Sequence, residues 1–137
     1  MCRECSYKDG KEDGQVKYYF MNGQIQEEYY VKDGKKEGQY KDWYKNGKLQ
    51  VLCNFKDDKE EGEYKEWHNN EILRIQCSYK DGKLEGEYKV WYDNGILKSI
   101  CTYVNNMPEG SYKKWSDEGV LTSHVIYEKG VEVKTII

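Results

Sequence analysis

The residues of this chain that could do chemistry are its cysteines, its histidines and a set of regularly spaced acids and glycines. Cys2 and Cys5 form the only C-x-x-C pair, a spacing that zinc and redox sites use. A zinc site needs four ligands, and the sequence supplies neither a second such pair nor a histidine at a ligand spacing. We therefore predict no metal site and no bound cofactor.

The histidines and acids do not form a catalytic pattern. His68 and His124 lie 56 residues apart, without a serine, cysteine or carboxylate in a recognisable catalytic arrangement. The acids recur at a fixed step, which is not typical of one general acid and base pair. The glycines also recur singly and no helix follows them, so they do not form a phosphate-binding loop. We predict no catalytic residues and a protein that is not an enzyme.

Composition and charge limit the classes of partner. The chain has 22 Lys and Arg against 25 Asp and Glu, a formal net charge of −3, and the two signs are interleaved. Because no basic stripe results, we expect no direct nucleic-acid ligand. The sequence also has no apolar run that would serve as a signal peptide or span a bilayer, so we expect a cytoplasmic location.

The chain is built from a sequence repeat, and the cysteines, acids and glycines described above recur at fixed positions within it. The unit is 24 residues long, and its clearest copy runs from Cys77 to Ile100. Its first column recurs without insertion as Cys5, Tyr29, Cys53, Cys77, Cys101 and Val125. We divide the chain into repeats 5–28, 29–52, 53–76, 77–100 and 101–124 and a half repeat 125–137, all within one domain, 1–137.

Each repeat is predicted to contain two strands and two turns, because apolar and polar residues alternate with the period of a strand. Asn94-Gly95 is typical of a two-residue type I′ hairpin turn. Asp81 to Leu84 is interpreted as a four-residue turn. The predicted fold class is all-β: an elongated single-layer antiparallel meander of about eleven strands, extending about 50 Å.

The two turns together predict a register. Tyr88 lies opposite Cys77 and Cys101, Tyr92 opposite Leu97, and Lys80 opposite Glu85. An acidic column therefore faces lysines in four of its five cross-strand pairs, and Val104 in the fifth; its members are Asp13, Glu37, Glu61, Glu85 and Glu109. The Tyr, Leu and Cys columns share one face, and Trp43, Trp67, Trp91 and Trp115 lie on the other.

The column cysteines are predicted to stay reduced. Equivalent positions lie two strands apart, about 9 to 10 Å in a sheet. A disulfide tolerates a Cα separation of no more than about 7 Å.

One turn departs from the repeat. At Asn70-Glu71 a glutamate replaces the glycine, and His68 replaces the tyrosine found in neighbouring copies. Positive φ is costly for glutamate, so we expect this turn to change type or to serve a partner; variation without a function is the alternative. The predicted partner-binding residues are Tyr44, His68, Asn69, Asn70, Glu71 and Tyr92.

The motif Tyr-x-x-Gly-x-x-x-Gly-x-Tyr-Lys-x-Trp-Tyr-x-x-Gly-x-Leu, as in Tyr79 to Leu97, resembles the variant MORN (membrane occupation and recognition nexus) repeat. The resemblance covers essentially the whole chain and implies an antiparallel β-meander that serves as an interaction surface. Stand-alone bacterial arrays of this variant resemble antitoxin or immunity proteins. That resemblance implies a protein that binds a toxin domain in the cytoplasm and neutralises it by occlusion.

Two alternatives to a toxin partner are also predicted, one from the same resemblance and one from the geometry of an open sheet. The resemblance also implies, as an alternative, a scaffold or membrane-associated adaptor without a toxin partner. Open strand edges at Met1 and Ile137 would allow self-association.

Overall fold

The computed structural model describes residues 2–137, with side chains from Arg3 onward, and all of its regular structure is β. The first eight strands are β1 (Cys2–Glu4), β2 (Tyr7–Lys8), β3 (Lys11–Glu12), β4 (Gly14–Tyr19), β5 (Ile25–Lys32), β6 (Lys35–Trp43), β7 (Leu49–Lys56) and β8 (Lys59–Glu60). The remaining eight are β9 (Gly62–Trp67), β10 (Leu73–Lys80), β11 (Lys83–Leu84), β12 (Gly86–Trp91), β13 (Leu97–Val104), β14 (Met107–Trp115), β15 (Leu121–Glu128) and β16 (Val131–Thr135).

The strands form a meander. Twelve of them follow one another as β1-β4-β5-β6-β7-β9-β10-β12-β13-β14-β15-β16, all antiparallel, while β8 and β11 pair with β7 and β10 at the turns. β2 and β3 form a separate two-stranded ribbon. The predicted all-β, unclosed antiparallel meander is confirmed. Its main path has one strand more than expected, because β1 precedes the first repeat.

Both kinds of turn differ from the prediction. At Asp81-Gly82 both residues have positive φ, 50° and 78°, as a type I′ turn requires. Lys80 consequently pairs with Lys83 across a two-residue loop, and the predicted four-residue turn and Lys80–Glu85 pair are wrong. The main ladder then resumes with Gln76 opposite Lys89. The shift is absorbed by a bulge in which Gly86 has a φ of 95°.

The Asn94-Gly95 turn is not type I′, because only Gly95 has positive φ there. The Tyr92 N–H donates to the Ile96 carbonyl at 2.9 Å, which closes a three-residue loop. The Asn94 side chain accepts from the Ile96 N–H at 3.0 Å and stabilises this longer loop.

A register shift after Val90 brings Trp91 opposite Leu97, so the predicted pairing of Tyr92 with Leu97 is wrong. Opposite residues share a face of the sheet, and the leucine column therefore lies with the tryptophans and not with the tyrosines and cysteines. The predicted pair of Tyr88 with Cys101 is confirmed, and Val90 lies opposite Ser99 in the same ladder.

The core is a thin strip in the middle of the ladder. Its buried apolar side chains are Val16, Val31, Val51, Cys53, Cys77 and Cys101. Aromatic rings pack edge to face along the same strip, with centroids 5.5 to 5.8 Å apart, in the pairs Tyr40–Phe55, Tyr64–Tyr79 and Tyr88–Tyr103. The strip thus combines small buried residues with large rings that cover them.

The four column cysteines, Cys5, Cys53, Cys77 and Cys101, are free thiols. Burial, as the largest cause, raises the pKa of Cys53 to about 12 and that of Cys77 to about 11. The Cys53 and Cys77 thiols therefore stay protonated at neutral pH and act as small apolar side chains. The described residues contain no helix that is long and apolar enough to cross a bilayer.

Candidate functional site

The predicted binding residues lie along one edge of the sheet, at the Asn-Gly type turns. The turn between β9 and β10 keeps the bonds of its neighbours: the His68 N–H donates to the Ile72 carbonyl at 2.8 Å, and the Glu71 N–H donates to the His68 carbonyl at 3.0 Å. Glu71 has a φ of 70°, so it takes the left-handed conformation that glycine takes elsewhere. The expected change of turn type is wrong, and a side chain is instead held in a strained conformation.

Tyr44, His68 and Tyr92 make the same bond in three successive repeats. The Tyr44 hydroxyl donates to the backbone carbonyl of Trp67 at 2.6 Å, and the Tyr92 hydroxyl to that of Trp115 at 2.8 Å. His68 Nε2 lies 2.9 Å from the carbonyl of Trp91 and must be the donor, because a carbonyl only accepts. His68 therefore preserves the link to the next repeat, and all three side chains are half-buried.

Asn70 also links neighbouring turns. Its Oδ1 accepts from the Ile72 N–H at 3.1 Å, and its Nδ2 donates to the Asp93 carbonyl at 2.8 Å. Asn69 and Glu71 are exposed at the tip of the turn. The Glu71 carboxylate lies 3.9 Å from Lys48 Nζ, which comes from the preceding turn. The structure thus places all six predicted residues on adjacent turns, and their role in binding stays a prediction.

The opposite edge carries the acidic column in a role that the sequence analysis missed. Each acid accepts a hydrogen bond from a backbone N–H in the next repeat's turn. Glu85 Oε2, for example, accepts from the Asn105 N–H at 2.8 Å. The bonds run from Asp33 to Asp13, Asp57 to Glu37, Asp81 to Glu61, Asn105 to Glu85 and Lys129 to Glu109. The sequence feature that could have indicated this role is the acid directly before the bulge glycine in every copy.

Backbone bonds reinforce this edge. The Gly82 N–H donates to the Glu60 carbonyl at 3.0 Å, and the Asn106 N–H donates to the Leu84 carbonyl at 3.0 Å. Where the turn glycine is replaced, the new side chain adds a bond: Asn106 Oδ1 accepts from the Leu84 N–H at 2.6 Å. Asp58 does the same for the Lys36 N–H at 2.6 Å. The substitutions therefore suit the left-handed conformation and strengthen the link between repeats.

Both faces of the sheet are open in the described part of the chain. The four tryptophans are only half-buried, because no second layer covers them within residues 2–137. On their face, Lys65 Nζ lies 2.9 Å from Glu63 and lowers the pKa of that carboxyl. Apolar rings and exposed charges thus alternate on a broad, accessible surface.

The tyrosine face carries one unusual cluster. The Lys36 ammonium lies 4.7 Å from the ring centroid of Tyr29 and 5.1 Å from those of Tyr40 and Phe55. Tyr29 and Tyr40 stack with centroids 5.9 Å apart, and the Phe55 ring meets Tyr40 edge to face at 5.5 Å. The three rings enclose a cation on the surface of the sheet.

Carboxylates lie beside this cluster. Glu27 and Asp42 are directly opposite in the register of β5 and β6. The Tyr40 hydroxyl donates to Glu27 Oε1 at 2.9 Å. Burial, with Glu27 and Glu66 nearby, raises the pKa of Asp42. Like charges opposite each other are unfavourable in a sheet, so this patch favours an added cation.

Residues 2–137 contain no described group of three or more His, Cys, Asp or Glu side chains that could hold a metal ion. The Cys2 side chain lies outside the described part of the chain. That Cys2 and Cys5 form no metal site therefore stays a prediction.

A family model described as the MORN repeat variant matches residues 12–33, 36–57, 60–81 and 84–105, four segments that recur at the step of 24. Because these segments cover more than half of the chain, the protein belongs to the MORN repeat variant family. The repeats of this family suggest a scaffold or binding role, and the family is generally non-enzymatic. The comparison with curated proteins gives no match.

Proposed function

We propose that this chain is a non-enzymatic antitoxin or immunity protein that binds a toxin domain in the cytoplasm and neutralises it by occlusion. The family match supports the general part of this proposal, that the array offers a binding surface. The specific antitoxin role is supported by the resemblance of stand-alone arrays of this variant to immunity proteins.

The observation that carries the proposal is the open single-layer sheet. Half-buried tryptophans and tyrosines lie on its two faces with nothing above them in residues 2–137. Large aromatic side chains that are partly exposed are the typical anchors of protein interfaces. A broad open surface of this kind could cover a large area of a partner, as occlusion of a toxin's active site would require.

The strained turn supports a binding patch at His68 to Glu71. Glu71 keeps a φ of 70° where the equivalent Gly95 has 86°, although glutamate has no steric freedom to favour it. Strained conformations are concentrated at functional positions. Its exposed carboxylate and the exposed Asn69 would therefore meet the partner, while His68 and Asn70 hold the turn.

The first experiment is affinity capture of this protein from its own cells, followed by mass spectrometry. The expected result is one stoichiometric partner with a toxic enzymatic domain, whose toxicity in a heterologous host is relieved by co-expression of this chain. Capture of membrane components or of a large assembly, with flotation on liposomes, would instead favour the scaffold or adaptor role.

A double variant tests the patch. His68→Tyr with Glu71→Gly restores the residues that neighbouring repeats carry, so the fold should be retained while affinity for the captured partner falls at least tenfold. The matched control is Gly119→Glu, which places a glutamate at the equivalent turn of a later repeat and changes none of the six predicted binding residues. Unchanged affinity in the first variant would remove the patch from the proposal without touching the binding function.

A further inference from the structure

The cluster of Tyr29, Tyr40 and Phe55 around Lys36 has the form of a binding site that is already filled. Three ring centroids lie 4.7 to 5.1 Å from one ammonium nitrogen. Attraction between a cation and an aromatic face operates within about 6 Å, for a lysine ammonium as well as for the quaternary ammonium ligands that aromatic cages recognise. We call these three rings the aromatic cage.

The aromatic cage is specific to one repeat. Its third ring, Tyr29, stands in the column that Cys53, Cys77 and Cys101 occupy in later copies. The position of Lys36 is held there by Glu60, Leu84 and Pro108. The third ring and the cation thus occur together, although the fold is built without either in the later repeats.

The surroundings of the cage add negative charge. Glu27 lies opposite Asp42 and accepts a hydrogen bond from the Tyr40 hydroxyl at 2.9 Å, so a carboxylate is attached directly to one wall of the cage. A cation that reached both the rings and these carboxylates would relieve the repulsion between Glu27 and Asp42.

We propose that the aromatic cage binds a lysine side chain of a protein partner, and that Lys36 occupies the cage until the partner's lysine replaces it. This inference rests on the proposed protein-binding function and names the chemistry of the partner. Exchange of one ammonium for another is nearly neutral for the rings. The net gain comes from hydrogen bonds between the incoming ammonium and Glu27 or Asp42.

A lysine fits better than the quaternary ammonium of a lipid headgroup. A primary ammonium has three N–H donors, and two half-buried carboxylates are within the same patch to accept from them. A quaternary ammonium has none, so the carboxylates would gain only charge neutralisation.

The test uses the full chain and a small probe, n-butylammonium chloride, which has the length of a lysine side chain. Lys36→Ala empties the cage, and binding is followed by NMR through the ring protons of Tyr29, Tyr40 and Phe55. The control is Leu84→Ala, which opens the equivalent position two repeats on, beside only two rings and without carboxylates. There, Cys77, Ile75 and Val90 stand where Tyr29, Glu27 and Asp42 would be. We expect the Kd in Lys36→Ala to be at least tenfold lower than in Leu84→Ala.

A second variant isolates the third ring. Adding Tyr29→Cys to Lys36→Ala inserts the residue that three other repeats carry, so the chain should fold, and the tenfold advantage should disappear. The neutral analogue 1-butanol should cause no saturable shift. In the wild-type chain, high n-butylammonium should move the ring-shifted ε-methylene resonance of Lys36 towards its unshifted position.

Four results would overturn the inference. Equal affinities in the Lys36→Ala and Leu84→Ala chains, or an equal response to 1-butanol, would show that the cage and its carboxylates do not select a cation. A Lys36 resonance that stays fixed in the wild-type chain would exclude exchange. Binding of choline and of phosphatidylcholine vesicles without a response to n-butylammonium would assign the cage to a lipid headgroup.

The two proposals fail separately. If a captured partner binds the Tyr29→Cys chain with unchanged affinity, the cage is not used, while the protein-binding function stands. If the cage selects n-butylammonium but no protein partner is captured, the proposed function fails and the cage remains a cation site.

Discussion

Two rows of turns, one at each end of the strands, join each repeat to the next with different groups. We call the row that contains Asp81-Gly82 the Asp-Gly edge and the row that contains Asn94-Gly95 the Asn-Gly edge. At the Asp-Gly edge, a carboxylate accepts from a backbone N–H, as Glu85 does from Asn105 at 2.8 Å. At the Asn-Gly edge, a neutral side chain donates to a carbonyl, as Tyr92 does to Trp115 at 2.8 Å. Hydrogen bonds with one charged partner are about twice as strong as neutral ones. We therefore expect the first edge to fix the spacing of the repeats more firmly than the second.

The sequence varies accordingly. The carboxylate column holds Asp13 and then glutamate in the next four copies. The equivalent column at the other edge changes type at nearly every step, as Phe20, Tyr44, His68, Tyr92 and Ser116. The edge with the weaker bonds is the one where a binding patch can arise without loss of the fold.

The largest expected effect lies in the strip between the edges. Tyr88→Ala should lower the free energy of unfolding by about 3 kcal/mol, the typical cost of truncating a packed aromatic residue. The Tyr88 ring lies opposite Cys101 and packs 5.7 Å from the Tyr103 ring. Urea unfolding followed by tryptophan fluorescence measures it. A change near zero would mean that the edges, and not the strip, hold the sheet together.

The carboxylate edge should come next. Glu85→Ala removes the carboxylate that accepts from the Asn105 N–H of the following turn and should cost about 2 kcal/mol of unfolding free energy. Glu87→Ala is the control, because Glu87 is exposed and has only a 3.6 Å ion pair with Lys89. Equal costs in the two variants would contradict the special role of the carboxylate column.

Relief of strain at the other edge should have the opposite sign. Glu71→Gly should raise the unfolding free energy by about 1.5 kcal/mol, because only glycine takes the left-handed conformation without steric cost. Gly95→Glu should lower it by a similar amount at an equivalent turn. Differential scanning calorimetry of both variants checks the pair, and a destabilised Glu71→Gly chain would show that the Glu71 side chain supports the fold.

The smallest effect is expected at the neutral bond. Tyr92→Phe removes the hydroxyl that bonds the Trp115 carbonyl and should cost about 1 kcal/mol, as neutral hydrogen bonds do. The ring remains, so packing is kept. If urea unfolding shows a cost as large as that of Glu85→Ala, the two edges are equivalent and the comparison fails.

Much of this fold follows from the sequence because the step of 24 and the alternation of apolar residues specify a meander on their own. The turn types could not be assigned in this way. Asn94-Gly95 and Asp81-Gly82 are both strong type I′ signals, and the choice depends on a bulge at Gly86 and a three-residue loop closed by Asn94.

The candidate site was only partly predictable for a related reason. Divergence from the repeat pointed to His68 and Glu71, but it could not reveal that His68 keeps the bond of a tyrosine. The aromatic cage was missed because Tyr29 looks like an ordinary aromatic substitution in a cysteine column. Its meaning depends on the direction of the Lys36 side chain, which pattern alone does not give.

The side-chain links between repeats span 20 to 23 residues and always reach the adjacent copy. Excision or duplication of one 24-residue unit therefore leaves each carboxylate of the acidic column beside a turn N–H of its new neighbour. The length of such a sheet changes in steps of about 10 Å, the width of two strands. Gene recombination that adds or removes whole repeats can therefore change this length while the fold stays the same.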